Sequence, residues 1–327
     1  MKSHTCEFAP RDLLRLVVLL FVPLVLFAAV MQPGSRLSIL PTPRPTLDAE
    51  RTILIHQAEA SREKHDAKIL LLGDSSCLMN LSARLLSERI GKPALSLATF
   101  SFLDLNAHAS FLREFTNANP NQLRAVIILM HPESLRRLSS EPYYQAVLTN
   151  YWSELDHCQT DTPAGRLWFV LGVDAFKGRL LSRALPIPLR GEYAHRYGFT
   201  RNLEHHLIRE QGSAIDPGEV PIVGNSEFRL ASTIERASKS FRASVPAGVK
   251  LLAGITPIPK RLAGLNYPER RADMLQQWAE WLGADVALTN LPAVLPDDAF
   301  ARSTHLKEAM IPRYTGQLAA ELAPHLN

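Results

Sequence analysis

The chain has 327 residues, of which 46% are hydrophobic and 21% charged, with a net charge of +4. That length suits one large domain or two smaller ones, and the mild charge, without a long basic run or zinc-finger spacing, argues against nucleic-acid binding. Cys6, Cys77 and Cys158 form no CxxC pair, which argues against a structural zinc site and a disulfide-dense scaffold; Cys77–Cys158 pairing in an oxidising compartment stays open.

Leu16 to Met31 carries no charge and, with Leu13 and Leu14, approaches the ~20 residues of a membrane span. Lys2, Arg11 and Arg15 precede it, which keeps the N-terminus cytoplasmic and puts the rest outside. An uncleaved single-pass anchor in the inner membrane over 13–32, after a cytoplasmic tail at 1–12, is favoured over a cleaved signal peptide, because FAAVMQPG lacks a small-x-small site. Residues 33–65 read as a linker, proline-rich at first and ending in a short helix over Leu47–Asp66. The remainder, 66–327, is expected to be an extracytoplasmic or periplasmic α/β domain.

Short apolar runs predict strands at Lys68–Leu72, Ala94–Ala98, Ala125–Met130, Lys250–Ile255 and Val286–Leu288. Between and after them, helices are predicted at Asn80–Ile90, Leu103–Phe115, Glu227–Val245, Tyr267–Leu282 and Met310–Leu322. The alternation predicts a doubly wound, flavodoxin-like parallel sheet of five strands. Residues 135–225 interrupt it and hold Tyr143, Tyr144, Tyr151, Trp152, Trp168, Tyr193 and Tyr197. This insertion is expected to form a lid or partner surface whose aromatics build its own core or stack on sugar rings.

Chemistry collects at the C-terminal edge of such a sheet. There the first strand runs into Gly73-Asp74-Ser75-Ser76. Ser75 is the candidate nucleophile; the competing reading is a turn capped by Ser and Asp. A nucleophilic serine needs a base, and His305, in a turn before the last helix, is placed by the topology at the same rim. His205 and His206, with Glu204 and Glu210, resemble a metal site only superficially, since adjacent helical histidines diverge; a solvated face is expected. Asp216-Pro217-Gly218 reads as turn chemistry.

With Gly73-Asp74-Ser75, Thr304-His305-Leu306 and five α/β units between them, the chain resembles the SGNH/GDSL hydrolase superfamily. It is similar to the membrane-anchored extracytoplasmic branch that includes proteins of alginate O-acetylation and teichoic-acid D-alanylation. The ITPIP segment at Ile255–Pro259 and the RYTGQLAAEL tail match the style of that branch. The resemblance implies a Ser75–His305 catalytic pair, with Asp74 in the serine block. The family's orienting aspartate falls on Arg302, leaving Asp297 and Asp298 as candidates for that role. Its glycine and asparagine donors fall in LATFSF and on His131-Pro132-Glu133, so Thr99, His131 and Arg302 are candidate oxyanion or substrate contacts.

Three readings follow. The first is an anchored serine esterase or O-acyltransferase, needing no cofactor or metal, that acts on an envelope or exported polysaccharide with acyl groups delivered by a membrane-embedded partner. The second is a catalytically degenerate glycan-binding or scaffolding subunit of an envelope complex. The third is an unrelated α/β protein.

Overall fold

The computed structural model describes residues 10–37, 39–40, 48–101, 103–136, 184–224 and 227–326, together with 145, 148, 167, 170–173 and 176–181. The chain divides into two units, one of residues 1–46 and 149–186, the other of 47–148 and 187–327.

The first unit holds helix α1, Pro10–Arg36. Its span Pro10–Gly34 has a mean hydropathy of 2.8 and is long and apolar enough to cross a membrane. Leucines, valines and Phe21 along it are exposed, as lipid contact requires and water disfavours. Phe27 meets the edge of Phe176 with ring centroids 5.6 Å apart.

The second unit is α/β. Helix α2, Ala49–Arg62, is capped by Asp48 and buries Ile53, Leu54 and Ile55; the short helix expected before the sheet is thus packed into this unit. Five strands follow: β1 Ile69–Gly73, β2 Ala94–Ser96, β3 Ala125–Met130, β4 Lys250–Ile255 and, after a two-residue strand β5 at Ile258–Pro259, β6 Val286–Ala287. They form one parallel sheet in the order β2-β1-β3-β4-β6. Every residue of β3 is buried, and so are Ile69–Leu72. A sheet covered on both faces demands such unbroken apolar runs, each Leu or Ile withdrawn from water contributing about 1.5–3 kcal/mol.

The connections are α3 Ser75–Asn80 and α4 Ala83–Ile90 between β1 and β2, α5 Leu105–Ala118 and then, after β3, α6 Pro132–Arg136. The helix expected at Asn80–Ile90 begins later, at Ala83, and Asn80 instead ends the separate short helix α3. Leu81 is extended, Ser82 caps α4, and the Ser82 and Ala83 amides donate to Thr315 Oγ1 (3.1 Å) and Ser213 Oγ (3.0 Å). Tertiary hydrogen bonds have overridden local propensity.

Helices α7 Glu192–Tyr197 and α8 Thr200–Arg209 come from the insertion yet belong to this unit, with Leu203 and Leu207 in the core and α8 against α2. Tyr193 and Tyr197 stack, and both pack with the core. The other insertion aromatics, Tyr143, Tyr144, Tyr151, Trp152 and Trp168, lie outside the described residues, as do Cys6 and Cys158; Cys77 is free and buried. Helix α9, Ser232–Arg242, starts later than expected because Phe228 turns inward against Tyr267. Helix α10 spans Tyr267–Leu282, and a strand β7 at Val294–Leu295 pairs with β5. An antiparallel pair unforeseen in the sequence, β8 Phe300–Arg302 and β9 His305–Leu306, precedes the closing helix α11, Ile311–Leu322.

Candidate active site

The strand order changes direction at β1, because β2 lies on one side of it and β3 on the other. The crevice beyond the ends of β1 and β3 is therefore the topological switch point, where open parallel sheets bind ligands. Gly73 closes β1 there with φ +148°, and a Cβ would lie 1.8 Å from the Leu129 carbonyl. Only glycine lets the two strand ends approach this closely.

Asp74 follows and is fully buried. Its Oδ1 accepts from the Ser76 amide (2.9 Å) and hydroxyl (2.6 Å), and its Oδ2 from the His131 amide (2.8 Å) and the Ser134 hydroxyl. Four bonds saturate a carboxylate. Asp74 is therefore a positioning residue that ties β1 to the turn after β3, not a free acid. Ser76 Oγ is also held by Thr256 Oγ1 (2.8 Å), at the end of β4. Ser75 is half-buried at the first position of α3. Of the two serines, Ser75 alone has a hydroxyl uncommitted among the described residues.

Asn80, at the other end of α3, reaches the C-terminal strand pair. Its Nδ2 donates to the Thr304 carbonyl (3.1 Å) and its Oδ1 accepts from the Leu306 amide (2.7 Å). His305 is thereby clamped beside α3, and its ring is buried. Nδ1 lies 2.5 Å from Asp216 Oδ2. A carboxylate only accepts, so Nδ1 carries the proton. Nε2 presents its lone pair and makes no hydrogen bond, to Ser75 or to any described group.

The residue that orients His305 is thus Asp216, which the sequence had suggested was mere turn chemistry. Asp297 and Asp298 do not fill that role: Asp297 pairs with Arg261 at 2.8 Å and Asp298 is exposed. Arg302 is no oxyanion contact either, since its guanidinium is committed to carboxylates. Its Nη2 donates to Asp216 Oδ1 (2.6 Å) and Glu192 Oε2 (2.7 Å), and its Nε pairs with Asp216 Oδ2. Burial opposes the charge on Asp216, but the bonds from His305 and Arg302 outweigh it and hold the carboxyl below the usual carboxylate range.

The loop bearing Asp216 is fixed from several sides. The Ser96 amide donates to Gln211 (2.8 Å), the Ala214 amide to Leu78 (3.0 Å), and Gln57 Nε2 to Gly212 (2.8 Å). Gly212 has φ +86°, and a Cβ would lie 1.9 Å from the Ser96 carbonyl, so glycine is required there too.

Thr99, three residues past β2, and His131, directly after β3, lie at the same rim. Thr99 is buried, its amide bonds the Gly73 carbonyl (2.9 Å), and its Oγ1 has no partner among the described residues. The His131 ring is buried against Phe228, and burial pushes its pKa down to about 4, against the pull of Asp74. Away from this rim, His206 is buried against Tyr197 with Nδ1 bonded to Arg209. Its burial departs from the solvated face expected of the His205–His206 pair. Among the described residues no cluster of His, Cys, Asp or Glu could hold a metal ion.

These features define a class: an α/β unit with a five-stranded parallel sheet and one apolar N-terminal helix. Compared with known proteins, the chain matches no family model, no curated protein and no solved structure.

Proposed function

We propose that the protein is a membrane-anchored serine esterase or O-acyltransferase of SGNH/GDSL type. Its substrate would be an acylated envelope or exported polysaccharide. The observation that carries this is His305, with Nδ1–H spent on Asp216 and a buried, unpartnered Nε2 beside the helix that Ser75 begins. An imidazole held in one tautomer by a carboxylate, with its other nitrogen open, is the arrangement of a general base. Its hydrogen bond to the serine tightens only when substrate arrives.

Ser75 Oγ attacks the acyl carbonyl, the new C–O bond forms, and the carbonyl π pair moves to oxygen. The hydroxyl proton passes to His305 Nε2; the π pair then returns, the bond from the acyl carbon to the leaving oxygen of the donor breaks, and the imidazolium gives that oxygen the proton. A water, or the hydroxyl of an acceptor glycan, then takes the acyl group by the reverse steps. Asp216 stays ionised throughout and stabilises the imidazolium. The α1 helix would hold the catalytic unit on the outer face of the inner membrane, where a membrane-embedded partner supplies acyl groups. The insertion at 135–225 would serve as the lid or partner surface.

Hydrolysis of p-nitrophenyl acetate by the full-length chain in detergent tests this. The wild type turns over, and Ser75→Ala and His305→Ala do not; a wild type no better than buffer contradicts it. A non-catalytic, glycan-binding subunit is the second reading, favoured by the Arg302 ion pair on Asp216. It predicts glycan binding that survives Ser75→Ala and His305→Ala, with no wild-type turnover.

A further inference from the structure

The two imidazoles at the rim present opposite polarity. His305 keeps a lone pair on its buried Nε2 because its Nδ1–H faces Asp216. His131 is locked the other way: its Nδ1 accepts from the Glu133 amide at 3.1 Å, so the proton of the neutral ring sits on Nε2. That Nε2 is buried and has no partner among the described residues. The ring is held on three sides, by its own amide on Asp74 (2.8 Å), by the Glu133 amide, and by Phe228, whose ring stands at 88° with centroids 6.1 Å apart.

A buried N–H without an acceptor is disfavoured, and proteins keep such groups where a ligand or reacting group takes them up. His131 and His305 are also close enough that a proton on one opposes a proton on the other. When His305 accepts the serine proton, His131 must therefore be neutral, and burial keeps it so.

We infer that His131 Nε2–H is the fixed hydrogen-bond donor for the oxygen that gains charge when Ser75 attacks an acyl carbonyl. The inference rests on the Ser75–His305 reading above. His131 transfers no proton; it donates a hydrogen bond that strengthens as the carbonyl π pair moves onto oxygen. A preorganised donor of this kind acts on the transition state more than on the bound substrate.

The test is the acylation burst of the full-length chain in detergent with p-nitrophenyl acetate. His131→Phe keeps a ring against Phe228 but removes the donor. It lowers the acylation rate by about 10²–10³-fold with KM little changed. His131→Gln, whose amide nitrogen reaches the place of Nε2, recovers most of that loss. Wild-type acylation by His131→Phe, or equal losses in the Phe and Gln variants, overturns the inference while leaving Ser75 and His305 in place. A wild type that shows neither a burst nor turnover above buffer overturns the underlying reading instead. Should the Phe variant fail to fold, ¹⁵N chemical shifts of His131 in the wild type decide: an Nε2–H tautomer at neutral pH supports the donor, and an Nδ1–H tautomer overturns it.

Discussion

The strand-end rim and the flank facing it are built by different means. On the rim, Asp74, Ser75, Thr99, His131 and Thr256 each sit within three residues of a strand end, so the sheet topology alone brings them together. On the flank, His305, Asp216 and Arg302 come from a strand pair and a loop 89 residues apart, and they meet only through tertiary hydrogen bonds from Asn80, Gln57, Ser96 and Ala214. The rim follows from backbone order, whereas the flank depends on individual side chains. Substitutions on the two sides are therefore expected to fail differently.

The largest effect belongs where both sides converge. Ser75→Ala lowers kcat by on the order of 10⁶-fold, as loss of a nucleophile does elsewhere, whereas Ser76→Ala, whose hydroxyl is tied to Asp74 and Thr256, loses stability and keeps its nucleophile. Steady-state kinetics beside thermal melts separates the two. Next, on the flank, Asp216→Asn lowers kcat by about 10⁴-fold by freeing the wrong histidine tautomer, while Asp297→Asn leaves kcat unchanged. Equal effects would show that the flank is assembled from another acid. Smaller again, Asn80→Ala leaves the Leu306 amide and the Thr304 carbonyl without partners, at a cost of about 1–3 kcal/mol, measured by denaturant unfolding.

Acid separates the two sides most finely. His131, faced by Asp74, Glu133 and His305, has its folded-state pKa lowered to about 4, so the folded state binds fewer protons than the unfolded one. Its contribution to stability is complete above the ordinary histidine pKa near ~6.5 and is lost as pH falls from there toward about 4. Asp216 is likewise lowered, so its contribution is present above the ordinary carboxylate pKa of ~3.9 and is lost below it. Thermal melts across pH show both steps in the wild type; His131→Gln shrinks the upper one, which buried His108 shares, and Asp216→Asn shrinks the lower, which Glu210 and Glu308 share.

The same contrast explains what could be read from the sequence. Ala125–Met130 and Lys250–Ile255 were bounded correctly because buried parallel strands leave unbroken apolar runs ended by polar residues. Ser75 could be named because it follows the end of β1, whereas His131, the residue after β3, was reached only through the family resemblance. Asp216 could not, because an Asp-Pro-Gly triplet reads as a turn wherever it falls. Its role comes from Gly212, whose missing side chain lets the loop approach the Ser96 carbonyl. Nor did Arg302 announce that it would hold the acid it displaced. The β8–β9 pair escaped notice because its strands span only three and two residues.

One measurement bears on the central claim directly. The full-length chain in detergent is treated with a serine-directed fluorophosphonate and the adduct is mapped by peptide mass spectrometry. The account predicts a single adduct on Ser75 that forms far more slowly in His305→Ala. An unmodified Ser75, under conditions that label a control hydrolase, would contradict it.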